Sequence, residues 1–190
     1  MLWFPRRLLW VFLLVSDVEV PYRFAQFWWA ITARALPEPA QHKVESILST
    51  SEWELFQRFS PGDQRHGYQV YRTLCAAGHV QTDLLVAGIL HDIGKTRVHL
   101  SVWDRILVVI GEALFPQEVS GWGKEIARGW KRPFVVRAQH AEWGAEMAEA
   151  AGSSAIVVDL IRHHQDSLPT NQIGVGDELL HLLQWADNQN

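Results

Sequence analysis

The chain has 190 residues, 48% of them hydrophobic and 20% charged, which are values of one well-packed globular domain and exclude a disordered chain. Its formal charge of −4 argues against a nucleic-acid-coating surface, so no stable nucleic-acid complex is expected, although a local basic pocket stays open. The single cysteine, Cys75, excludes an intrachain disulfide and a cysteine zinc cluster and fits a reducing, intracellular compartment.

Trp3, Trp10, Trp28 and Trp29 crowd the first thirty residues of a chain with ten tryptophans. Arg6 and Arg7 precede an apolar run, Leu8 to Val15, well under the ~20 residues of a spanning helix. Three readings stay open: an amphipathic element lying on a membrane, an extra helix packed on the domain, or a start codon placed upstream of the true one. The expectation is a cytoplasmic protein with peripheral contact at the inner membrane face through this segment. Pro37-Glu38-Pro39 marks the boundary, giving an aromatic-rich helical extension over 1–40 and the main domain over 41–190.

Almost everything after residue 40 reads as helix. Ser51 with Glu54 predicts a capping box opening a short helix through Phe56. Ser60 and Pro61 open the next, which runs to Gly78 at its C′ position. On it His66, Val70 and Leu74 share one face, so His66 points toward the core. Thr82 is expected to cap a helix ending at His91-Asp92, and Gly94 supplies the relaxed end at which consecutive residues can serve one site. A helix over about Val102 to Leu114 closes at Pro116, and 117–130 is looser. Pro133 starts the element carrying His140, where the small residues Gly144 and Ala145 allow close helix approach. Gly152-Ser153 breaks the chain, a helix runs to His163-His164, and Asp177 caps the last helix. No period-2 alternation of useful length occurs, so the fold class is all-α, a helical bundle around a central cleft.

Five of the nine histidines and two aspartates fall in one order: His66, His91, Asp92, His140, His163, His164 and Asp187. Histidine with carboxylate suits intermediate divalent metals. Seven such groups exceed what one tetrahedral ion uses, which points to two divalent ions bridged by Asp92, the arrangement that clamps attacking and leaving oxygens in phosphoryl hydrolysis. Iron or manganese is expected, with zinc, cobalt, nickel or magnesium as alternatives. Lys95 stands three residues after the bridging aspartate, where a positive charge can serve a phosphate group. Arg72 is a weaker second choice. For Arg97, Lys131, Arg132 and Arg137 ordinary surface charge is favoured over an outer basic rim. His42, His79, His99 and His181 do not fit the set.

The stretch Leu90-His91-Asp92-Ile93-Gly94-Lys95, with His140-Ala-Glu-Trp-Gly144-Ala145, Ile161-Arg-His163-His164-Gln165 and Trp185-Ala-Asp187, resembles the HD-domain superfamily of metal-dependent phosphohydrolases. The resemblance covers roughly 61–190. It implies that both His163 and His164 can be ligands and that Lys95 contacts phosphate. It further implies hydrolysis by a metal-bridging hydroxide, with Asp92 and Lys95 as the catalytic pair. The substrate stays open among a nucleotide, a cyclic dinucleotide and a small phosphate ester, as does the choice between monoesterase and diesterase. The Gly-Tyr-Pro signature of the cyclic-di-GMP-degrading subfamily is absent. Two alternatives remain: a di-iron oxygenase, disfavoured by the double histidine, and a non-catalytic nucleotide-sensing module, disfavoured by the full ligand set.

Overall fold

The computed structural model describes residues 35–166 and 175–190, and within them the secondary structure is helical throughout. The tryptophan-rich segment, with the three readings attached to it, lies outside the described residues. So does most of the loop before the last helix.

The first helix, α1 (Glu38–Glu45), follows Pro37 at its N-cap, where a missing N–H costs nothing. It buries Ala40 and Val44, and Leu36 just before it joins the same core. The boundary set at residue 40 therefore falls inside a helix whose apolar face belongs to the domain.

Helix α2 (Thr50–Phe56) is capped by Ser49 with Glu52, two residues earlier than the Ser51 and Glu54 box expected. Both pairs have the Ser-x-x-Glu spacing. The tertiary structure selects the first pair because Glu52 is buried at 7% exposure and its second oxygen accepts from Ser153 Oγ at 2.7 Å. A buried carboxylate needs such partners. Together these bonds tie α2 to the turn between the two helices that carry His140 and His164.

Helix α3 (Pro61–Ala76) starts at Ser60, whose hydroxyl accepts from the Asp63 N–H at 3.3 Å. It ends where Gly78 adopts φ 88°, a left-handed conformation that a side chain would strain. Helix α4 (Thr82–Leu90) is the centre of the molecule, with every residue from Leu84 to Leu90 buried. Its N-cap is Gln81 without a side-chain bond, so Thr82 is the first helical residue and not the cap. The neighbouring Asp83 instead accepts from Ser154 Oγ at 2.7 Å. Gly67 of α3 is essential to this packing, because a Cβ there would overlap the Ile89 carbonyl oxygen.

After α4 the chain tightens into a 3₁₀ turn, Ile93–Arg97, then forms α5 (Val102–Leu114) and α6 (Pro116–Trp122). Pro116 thus both closes one helix and opens a short one within the looser stretch. Helix α7 (Arg132–Ala150) carries His140. Gly152, at φ 80°, turns the chain into α8 (Ala155–His163), capped by Ser154. The last helix, α9 (Val175–Asn188), begins two residues before the expected Asp177 cap. Helices α3, α8 and α9 pack around α4, while α7 lies against α8 and the 3₁₀ turn.

Candidate metal centre

His91 and Asp92 occupy the C-terminal end of α4. His91 is the C-cap, and Asp92, at φ −94° and ψ 4°, has left α-helical geometry. This exit lets consecutive side chains face one site in spite of the 100° step of a helix. The 3₁₀ turn is held tightly against α7. A Cβ on Gly94 would overlap the His140 carbonyl and come within 2.6 Å of the Gly144 nitrogen. Two glycines thus set how closely the Asp92 segment approaches the His140 helix.

Six of the seven expected ligands converge, as two triads. In the first, Nε2 of His66 lies 2.9 Å from Asp187 Oδ1 and 3.3 Å from Nε2 of His91. The second joins Asp92, His140 and His164, all buried. Asp92 faces both. Its Oδ1 is 3.3 Å from Nε2 of His140 and 3.8 Å from Nε2 of His164. Its Oδ2 is 3.6 Å from Nε2 of His91, 3.9 Å from Nε2 of His66 and 2.5 Å from Lys95 Nζ.

The rings are oriented from behind. Nδ1–H of His91 donates to the Gly88 carbonyl at 3.1 Å, that of His164 to Ile161 at 2.7 Å, and that of His140 to Val136 and Arg137 at 3.1 and 3.0 Å. Carbonyl oxygens only accept, so Nδ1 carries the proton and Nε2 presents a lone pair, the tautomer a metal needs. Nε2 of His140 and of His164 are buried with no hydrogen-bond partner among the described residues. The approach of His140 to Asp92 lacks hydrogen-bond alignment. A buried nitrogen left unpaired costs about 1–3 kcal/mol, and a cation shared with Asp92 would satisfy both. The donor set and its burial therefore fit divalent metal ions.

The electrostatics agree. Burial would raise the Asp92 carboxyl, but Lys95, His91 and His140 outweigh it and hold it well below its ordinary value. Burial likewise opposes ionisation of Asp187, yet hydrogen bonds from His66 and His91 keep that carboxyl low. Burial, reinforced by repulsion from His91, pushes His164 down to about 3, so its imidazole is neutral near pH 7. For His91 burial acts downward, but Asp92 and Asp187 prevail and raise it.

His163 is not brought into either triad. It is the last residue of α8, half-exposed, with Nδ1 3.3 Å from Asp159 Oδ1 and 2.9 Å from the Asp159 carbonyl. One residue further, His164 turns inward as the C-cap. The pair sits at a helix end, as His91-Asp92 does, but α8 keeps helical geometry through the first of them, and the two rings diverge.

Lys95 donates to Asp92 and also lines a cavity of about 470 Å³ that reaches His140. Arg72 is exposed. The four cations weighed as an outer rim are all paired: Arg97 with Glu146, Lys131 with Glu125, Arg132 with Asp104 and Arg137 with Glu112. Arg137 also reaches the cavity. His99 and Arg58 line it too, residues that no spacing in the sequence singles out, because they lie on irregular turns between helices.

The family model described as the HD domain matches residues 66–188, about two thirds of the chain and the whole span from His66 to Asp187, the first and last of the expected ligands. No curated protein and no solved structure matches the chain. With its motif set carried by an all-helical fold that gathers histidine and aspartate at one centre, this chain belongs to the HD-domain superfamily of metal-dependent phosphohydrolases.

Proposed function

We propose that the protein is a two-metal phosphohydrolase acting on a phosphate ester of small or nucleotide size. The observation that carries this reading is the division of Asp92, one oxygen toward His140 and His164 and the other toward His66 and His91. One ion would be held by His66, His91, Asp187 and Asp92, and the other by Asp92, His140 and His164. Two bound dications supply Lewis acidity toward phosphoryl oxygens and lower the pKa of a water near them.

The chain's own residues do the rest. The Nδ1–H bonds to Gly88, Ile161, Val136 and Arg137 fix three imidazoles before substrate arrives, so little reorganisation accompanies the reaction. Lys95 keeps Asp92 ionised. Its ammonium has three donors and uses one on Asp92, leaving others for a phosphate oxygen at the cavity wall. No helix among the described residues is long and apolar enough to cross a membrane. Peripheral contact through the N-terminal segment stays part of the proposal and is tested by liposome partitioning with and without residues 1–34.

The deciding experiment is metal analysis of protein purified without chelator, followed by a panel of phosphomonoesters, phosphodiesters and nucleotides. About two ions per chain and metal-dependent phosphate release support the reading. One ion or none after reconstitution with iron or manganese overturns it. A second reading gains from the position of His163: with only His164 turned inward, the double histidine no longer argues against a di-iron oxygenase. Oxygen uptake by the iron-loaded protein, with no phosphate release from any ester, would favour that chemistry.

A further inference from the structure

The cavity beside the metal centre has more in it than a phosphate group needs. Its volume of about 470 Å³ is that of a small-molecule site, on the order of 300–1,000 Å³. Its floor includes Lys95 and His140, which belong to the metal centre. Beyond them Phe59, Val98, Leu100 and Val108 form an apolar wall drawn from the turn before α3, the loop after the 3₁₀ turn, and α5.

Three basic side chains, Arg58, Lys95 and Arg137, line this space, and they are not equivalent. Lys95 is bonded to Asp92, and Arg137 Nε donates to Glu112 at 2.7 Å. Arg58 is different. It is exposed, and among the described residues no carboxylate lies within ion-pair distance of it. Asp63, in the same lining, receives the Ser60 hydroxyl at 2.6 Å. Arg58 is anchored at its base, because the next residue, Phe59, is buried edge-on against Phe56 at 5.9 Å. Arg58 lines the cavity beside this apolar wall with no ion-pair partner among the described residues, which leaves its planar fork available to whatever fills the cavity. That fork matches carboxylate and phosphate oxygens.

We infer that the cavity receives the organic part of the substrate, and that Arg58 selects esters whose compact apolar body carries a second anionic group, carboxylate or phosphate. The inference rests on the phosphohydrolase reading and narrows it. The apolar body contributes by burial against Phe59, Val98 and Leu100. The second anion contributes through charge-assisted bonds to Arg58. Arg58 is thus a specificity-determining residue, outside the metal ligands and unmarked by any motif.

The test uses the metal-loaded full chain and three non-hydrolysable probes followed by calorimetry: benzylphosphonate, 4-carboxybenzylphosphonate and 1,4-xylylenebisphosphonate. The two probes that carry a second anionic group should bind about tenfold more tightly than benzylphosphonate, and the better of the two identifies the second anion. In Arg58→Gln that ratio should fall to about one, with metal content and thermal unfolding midpoint as in the parent. Arg58→Lys should keep part of it. In parallel, kcat/KM for 4-carboxyphenyl phosphate relative to phenyl phosphate should drop in Arg58→Gln, mainly through KM. Equal binding of all three probes, or an advantage that survives Arg58→Gln, overturns the pocket assignment and leaves the hydrolase reading standing. If no probe binds and neither ester is cleaved by metal-loaded protein, both fall together.

Discussion

The two triads of the metal centre are built from the same residue types and differ in what satisfies them. Asp92, His140 and His164 are buried, and two of their ring nitrogens find no donor or acceptor among the described residues. His66 and Asp187 are partly exposed and bond each other at 2.9 Å, with His91 at 3.5 Å from the same carboxylate oxygen. The outer triad can hold itself together by ion pairing and water. The inner one is left with unpaired polar atoms in a dry place, where that is costly. The inner ion is therefore expected to be the structural anchor of the pair and the outer one the exchangeable partner.

The largest effect should come from the residue the triads share. Asp92→Ala is expected to remove both ions and all phosphatase activity, measured by metal analysis on folded protein. Retention of one ion would show that the triads bind independently and that Asp92 is no bridge.

Next in size are changes that separate the two. His164→Ala should lose the inner ion, and Asp187→Ala only the outer one. Chelator should lower the thermal midpoint of Asp187→Ala more than that of His164→Ala, because only the former still holds the stabilising ion. The opposite ranking would reverse the assignment of anchor and partner.

Acidification should sharpen the same contrast. A raised pKa means that His91 keeps its proton to higher pH, and that proton competes with a cation for Nε2. His164, depressed to about 3, stays neutral through the working range. As pH falls from about 8 to about 5, the outer ion should leave first, which stepwise metal analysis across the series can read. Simultaneous release would mean that the triads titrate as one unit.

Smaller still is Lys95→Ala. Ion content should hold, since a bound dication also keeps Asp92 ionised. Catalytic efficiency should fall by about tenfold, the low end for a charge-assisted contact because the lysine is partly exposed. The smallest effect belongs to His163→Ala, which is expected to leave metal content and kcat unchanged. A lost ion there would mean that His163 swings inward when the centre fills.

Much of the site was legible because its information is chemical and ordered. The histidines and aspartates that cluster, their sequence order and the relaxed helix end at His91-Asp92 all follow from residue identity and local geometry. So do the cap at Ser60, the stop at Gly78 and the close approach allowed by Gly144. The α2 cap was not legible, because Ser49 and Ser51 each precede a glutamate at the right spacing. Only burial of Glu52 against Ser153 separates them. The start of α1 was hidden for a similar reason: Pro37 and Pro39 look like a break, but proline also opens helices, and α1 uses it so.

The sequence by itself determined an all-helical chain of the HD family with enough histidine and aspartate for a metal centre, since periodicity, caps and ligand chemistry are local properties. The tertiary structure alone decided how those groups are shared out. Neighbouring side chains on a helix point 100° apart, so the packing of α8 against α7 and α4 admits His164 to the centre and leaves His163 beside Asp159. The cavity wall, assembled from the turn before α3, the loop after the 3₁₀ turn, α5 and α7, joins residues far apart in the chain. The helix packing behind it depends on backbone approach at Gly67 and Gly94, which no local pattern encodes.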